Sequence, residues 1–164
     1  MPALTKAMGI NRPSLYAAFG NKEQLFRKAL DRYTTGPAAN INCALNEPTA
    51  RAAVEKLLYG SADSLGDPSH PRGCLAVQGA LACSKSAESA QQHAAEARGK
   101  LEIALRLRFE RAQIDGDLKP DADPAALAKY IAVVSHGMAV HATSGATREQ
   151  LRPVAETALK AWPS

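Results

Sequence analysis

Apolar residues recur at intervals of three and four along nearly the whole chain, and no stretch alternates with the period of two that marks a half-buried strand. That periodicity restricts the fold to packed helices. Composition sharpens the restriction. Hydrophobic residues make up 46% of the chain, enough for a core, yet only 5% are aromatic and alanine is abundant, so helices can approach closely while good strand formers are scarce. A length of 164 residues fits one domain, or a small module joined to a larger one. Lys129 and His136 interrupt the longest apolar run before it reaches the roughly 18 residues that a membrane span needs. No basic-then-apolar leader opens the chain. The sequence predicts an all-α, cytoplasmic protein with no membrane partner.

Cys43, Cys74 and Cys83 form neither a paired framework nor a Cys-x-x-Cys motif, which predicts reduced thiols acting as small buried apolar residues. Charge is unevenly placed. Residues 1–33 hold Lys6, Arg12, Lys22, Arg27, Lys28 and Arg32 against Glu23 and Asp31, so the whole formal excess of +4 lies there and the rest of the chain is neutral. A basic block on a neutral body is either a solvated face or the footprint of a polyanion partner.

Leu4, Ala7 and Met8 share one face of a short first helix, and Gly9 permits a tight turn after it. Asn11 is placed to cap a second helix with Pro13 in its first turn. Ile10, Leu15 and Phe19 point inward from it, leaving Pro13, Ser14, Tyr16 and Ala17 outward: a helix-turn-helix pattern. After Gly20, Asn21 and Gln24 have the spacing of a capping box for a third helix with Leu25, Phe26, Ala29, Leu30 and Tyr33 inward. Residues 34–37 offer a stop. Asn46-Glu47-Pro48 opens a helix ending near Gly66, and "GDPSHPRG" over 66–73 is a loop. "CLAVQGALACS" over 74–84 is a short, buried helix. Ser86 or Ser89 caps a long helix to about Gln113, with Leu101, Leu105, Phe109 and Ala112 on one stripe and Glu96/Lys100 and Glu102/Arg106 as i, i+4 pairs. "DADP" caps a helix from Pro124 to Thr143. Thr147 and Gln150 cap the last one, in which Pro153 predicts a kink or a later start.

"LTKAMGINRPSLYAAFGNKEQLFRKALDRY", over residues 4–33, resembles the tetracycline-repressor (TetR/AcrR) family of bacterial one-component transcription regulators. The matches are Ala7, Met8-Gly9-Ile10, Leu15-Tyr16, Phe19 and Lys22-Glu23-Gln24-Leu25, a specific spacing over about a fifth of the chain. The resemblance implies a helix-turn-helix DNA-binding segment with its connecting helix over residues 1–42, that helix running on towards Asn42. Residues 43–164 then form an effector-binding and dimerisation domain. It also implies a repressor that binds a palindromic operator as a homodimer and is released by a small molecule. Family members carry a further helix before this point, so an upstream segment is expected; the alternative is a dimeric effector-binding module that has lost DNA binding. A short helix with small outward side chains fits a major groove roughly 12 Å wide. Arg12, Pro13, Ser14, Tyr16 and Ala17, with Lys22 at the start of the next helix, are therefore the expected contacts to double-stranded DNA, Tyr16 and Lys22 on phosphates.

The same resemblance places a ligand pocket among the helices bearing Leu57, Leu58 and Tyr59, then Cys74 to Leu81, then Leu105 and Phe109. Tyr59, Cys74, Gln78, Leu81, Leu105 and Phe109 are its expected lining, and a small, mainly apolar effector its occupant. Gln78 either orients that ligand or is a core amide bonded to backbone. Leu127, Tyr130, Ile131, Val134 and Met138 form an inward stripe on the penultimate helix, while Ala126, Val133, Gly137 and Val140 form a second stripe with nothing left to bury it. That second stripe, with Leu151, Val154, Ala158 and Trp162 of the last helix, predicts an isologous four-helix dimer interface. His136 and His141 are five apart, and Pro71 and Gly73 lie between His70 and Cys74, so neither pair predicts a metal site. Glu88, His93 and Glu96 complete no nucleophile–base–orienter set, and no Gly-rich phosphate loop is present, so neither a catalytic site nor a cofactor is expected.

Overall fold

The computed structural model describes residues 1–36, 40–81 and 88–163, and among them every regular element is a helix. Nine occur in order: α1 (Pro2–Met8), α2 (Arg12–Phe19), α3 (Lys22–Thr35), α4 (Asn40–Leu45), α5 (Ala50–Leu65), α6 (Leu75–Leu81), α7 (Glu88–Ile114), α8 (Pro124–Thr143) and α9 (Arg148–Lys160). No helix among these residues is long and apolar enough to cross a membrane.

The local signals act as their chemistry requires. The Asn11 Oδ1 accepts from the Ser14 amide at 2.8 Å, satisfying one of the free N–H groups that open α2. Between Asn21 and Gln24 the exchange is reciprocal, with both side chains accepting from the other's amide at 2.9 Å. Gly20 stands between the two helices at φ 78°, a backbone conformation that L side chains rarely adopt, and a Cβ there would also displace the Gln24 Oε1 from the capping box. Asp123 accepts from the Ala125 and Ala126 amides at the start of α8.

Several boundaries differ from expectation. α3 stops at Thr35 against Gly36 rather than continuing towards Asn42, and α4 is a separate short helix. α5 begins at Ala50, later than the Asn46-Glu47-Pro48 signal, because Thr49 accepts from the Ala52 amide and Asp117 from the Ala50 amide. Ser89 lies inside α7 and donates to Glu23 of α3 instead of capping; Ser86 and Cys83 lie outside the described residues. Glu102 pairs with Lys129 of α8 at 2.5 Å, and Arg106 with Glu110, in place of the expected Glu102/Arg106 pair. α9 accommodates Pro153 and still starts at Arg148, its first turn fixed by the Gln150 Oε1 accepting from the Thr147 amide at 2.9 Å.

The main core runs between α5, α7, α8 and α9. Val54, Leu58, Leu105, Phe109, Ile131 and Met138 are buried in it, and the Phe109 and Trp162 rings meet edge to face at 5.0 Å. A second, smaller cluster joins the head to the body: Leu30 and Phe26 of α3 pack on Ala76 of α6 and Ala94 of α7. Gly79 allows this approach, since a Cβ there would fall 2.8 Å from the Phe26 Cζ.

Candidate functional site

Two surfaces and one cavity gather the residues that the sequence singles out. On α2, Leu15 is buried and Phe19 and Ile10 are half-buried, which fixes the helix roll and leaves Arg12, Pro13, Ser14, Tyr16 and Ala17 exposed on the other face. Lys22 is exposed in the first turn of α3. Every basic residue of the head (Lys6, Arg12, Lys22, Arg27, Lys28 and Arg32) is exposed, and none forms an ion pair among the described residues. Lys28 instead sits 5.6 Å above the Phe19 ring. On α1, Leu4 and Met8 are exposed, as is Ala29 of α3, which was expected inward.

The cavity lies below the C-terminal end of α3, between α3, α5, α6, α7 and α8, and measures about 140 Å³. Of its expected lining, Cys74 is present. Leu105 and Phe109 are not: both are fully buried in the main core, where the Trp162 ring occupies the space over Phe109. From α7 it is the earlier turns, with Ala97, Arg98 and Leu101, that face the cavity. Tyr59 also lies elsewhere, packed against the core under the Arg152 guanidinium at 5.5 Å. Gln78 is exposed and not a core residue, but its Nε2 donates to the Arg72 carbonyl at 2.8 Å, so only the backbone bond of the plainer reading is present. The side chain of Leu81 lies outside the described residues.

Sequence reasoning missed the cavity's polar wall, which includes Tyr33, Lys56, Ser61, Arg98, Ser135 and His136. One signal was available. His136 interrupts the longest apolar run of the chain, and a polar group set into an apolar helix needs a partner or a cavity. Burial pushes the Tyr33 hydroxyl up to about 12, the adjacent Cys74 thiol adding to the effect, so Tyr33 stays a neutral donor. Burial and then the Arg98 guanidinium hold the His136 imidazole below its ordinary 6.5, against a smaller opposing effect of Glu102.

On α8, Val133 is 59% exposed and Val140 41%, and Gly137 has open space where a Cβ would stand. Tyr130 joins this outer stripe instead of the inward one. The last helix behaves differently from expectation. Leu151 and Ala158, each 2% exposed, and Trp162, 6% exposed, are turned into the protomer's own core, because α9 lies chiefly against α5 and its Leu151, Ala155, Ala158 and Leu159 share the face that does so. Of the expected last-helix set, Val154, 43% exposed, and an edge of the buried Leu151 border the groove between α8 and α9. Cys43, expected buried, is exposed, and Cys74 is half-buried; both are free thiols.

Known proteins with related sequences and structures are regulators. Residues 49–158 match the "Tetracyclin repressor-like, C-terminal domain" family and residues 1–29 match "Bacterial regulatory proteins, tetR family". The HTH-type transcriptional repressor ComR of Escherichia coli (strain K12) is 30% identical over 162 residues, 98% of this chain and 77% of ComR. YezE, an HTH-type transcriptional regulator of Bacillus subtilis (strain 168), is 28% identical over 130 residues, 78% of this chain and 67% of YezE. Among solved structures, a cysteine mutant of the TetR family regulator CifR, complexed with 26-bp double-strand operator DNA, superposes with a TM-score of 0.95 at 40% identity, covering 99% of this chain and 86% of CifR.

Proposed function

This chain belongs to the tetR family of bacterial regulatory proteins, a transcriptional regulator and not an enzyme, and on that premise we propose that it is a cytoplasmic repressor that binds a palindromic operator as a homodimer and is released by a small, mainly apolar effector. The exposed face of α2 carries the reading. Arg12, Pro13, Ser14, Tyr16 and Ala17 stand on one side of a short helix whose other side is anchored by Leu15, with Lys22 beside them, in a chain that superposes on a regulator bound to its operator. Phosphate contacts by Tyr16 and Lys22 would set the helix in the groove, and Arg12 and Ser14 would read base edges.

Residues 1–42 form the DNA-binding segment and residues 43–164 the effector and dimer domain. α3 supports the coupling between them. Its 14 residues, about 20 Å of helix at ~1.5 Å per residue, run from Lys22 on the DNA side to Tyr33 and Thr34 in the cavity wall. A ligand that fills the cavity displaces the far end of a rigid rod whose near end carries the recognition helix. It releases DNA only to the extent that it prefers the DNA-incompetent arrangement. Val133, Gly137, Val140 and Val154 supply the dimer surface, an apolar stripe beside a groove that a two-fold mate of α8 would fill.

Fluorescence anisotropy with a duplex taken from the gene's own upstream region tests this. Lys22→Ala is expected to weaken binding to all sequences alike and to reduce the salt slope by about one, while Arg12→Ala shifts base preference. Val133→Glu is expected to give a monomer in sedimentation and to lose operator binding. Operator affinity that ignores both salt and Lys22→Ala overturns the reading.

A further inference from the structure

The cavity below α3 holds a cation with no partner among the described residues. Arg98 of α7 lines it, and its Nε is buried with no hydrogen bond. No acidic side chain among the described residues pairs with it. Glu102, one turn along the same helix, is committed to Lys129 at 2.5 Å. Lys56, which also lines the cavity, is committed to Glu47. Asp and Glu are absent from the lining among the described residues. A buried charged donor with no acceptor is costly, and the structure keeps one beside an open space.

The rest of the cavity fixes what else the occupant must be. Leu57, Leu65, Ala97, Leu101 and Ala139 give it an apolar floor. Its volume of about 140 Å³ is close to the ~150 Å³ of an engineered apolar cavity that admits benzene. Tyr33 and His136 add donors without adding charge near neutral pH, because burial keeps the first protonated and the second neutral.

We propose that the effector is a small monocarboxylate with a compact apolar body, its carboxylate paired with the Arg98 guanidinium and its hydrocarbon part resting on the Leu57 and Leu101 side of the cavity. This rests on the reading of the cavity as the effector site. Specificity follows from what each competitor leaves unpaired. A neutral isostere abandons the charge on Arg98, and an ammonium ion sets a second cation against it.

Calorimetric titration of the full chain with benzoate, benzamide and benzylamine separates these cases. Benzoate is expected to bind about tenfold or more tighter than benzamide, with no binding of benzylamine. Arg98→Gln should bring benzoate down to the affinity of benzamide and leave benzamide unchanged. Arg98→Lys, which keeps the charge but not the planar fork, should fall between them and serves as the folded control if the Gln variant has a lowered melting temperature. Equal affinities for benzoate and benzamide, undiminished benzoate binding by a folded Arg98→Gln, or no binding of benzoate or hexanoate at millimolar concentration overturns the assignment. Operator release is read separately by anisotropy. Arg98-dependent carboxylate binding without release would refute the regulatory reading and leave the site standing. Release by neutral apolar compounds alone would refute the carboxylate and leave the regulatory reading standing.

Discussion

Residues 1–36 bury only Leu15 and Leu30, whereas residues 40–163 gather a continuous core from Ala44 on α4 to Trp162 after α9. Their charges differ in the same sense. In the body, Glu47, Asp63, Glu102, Glu110 and Asp115 each hold a basic partner, and Asp63 takes both Arg148 and Arg152. In the head, six exposed basic side chains have no acidic partner among the described residues. A unit with so little buried surface does not hold itself together well. It takes support from the body through Leu30 and Phe26 on α6 and α7, and it keeps its charges free for a polyanion. The body supplies rigidity and the head supplies unspent electrostatic potential.

Two core truncations break this comparison most sharply. Phe109→Ala removes a fully buried ring and its edge contact with Trp162, and is expected to cost about 3–5 kcal/mol. Calorimetry should show the main unfolding transition lowered, with operator binding failing only as the body melts. Leu15→Ala, although also fully buried, should leave that transition in place and abolish operator binding, because the loss is confined to α2. Equal effects of both variants on the main transition would mean that head and body unfold as one unit.

Gly79→Leu addresses the joint between them. The new side chain would meet the Phe26 ring, and overpacking of this kind costs about 1–3 kcal/mol. Since the clash lies at the α3–α6 contact, it should shift α3 and weaken operator affinity more than it lowers the melting temperature. A loss of stability with unaltered affinity would show that α3 does not transmit.

The smallest effect concerns pH. His136 is held below 6.5 in the folded protein, so the unfolded chain binds more protons once the pH falls through 6.5 towards the lowered folded value. Stability is therefore complete above 6.5 and is lost across that window on acidification. The groups lining the cavity with His136 are Tyr33 of α3, Lys56 of α5, Cys74 before α6 and Arg98 of α7, with Glu102 acting from the next turn of α7. His136→Asn should flatten the dependence of melting temperature on pH between neutrality and pH about 5. An unchanged slope would place the acid sensitivity elsewhere.

Elements that depend on short-range chemistry were legible in the amino-acid order alone. The Asn11 cap, the Asn21–Gln24 box and the Asp123 cap each involve groups three residues apart or fewer, and their hydrogen bonds form whatever the rest of the chain does. The outward face of α2 was legible for the same reason, since one buried leucine fixes the roll of eight residues. Tertiary structure decided where α9 spends its apolar face, which periodicity describes but cannot assign to α5 or to a second subunit. It also decided which turn of α7 meets the cavity: Leu105 and Phe109 share a stripe with Leu101, but they lie one and two turns further along, inside the main core, where the Phe109 ring meets Trp162. The unpaired Arg98 belongs to the same class. Its carboxylate neighbour one turn away looks like a partner until Lys129, 27 residues further along the chain, takes it.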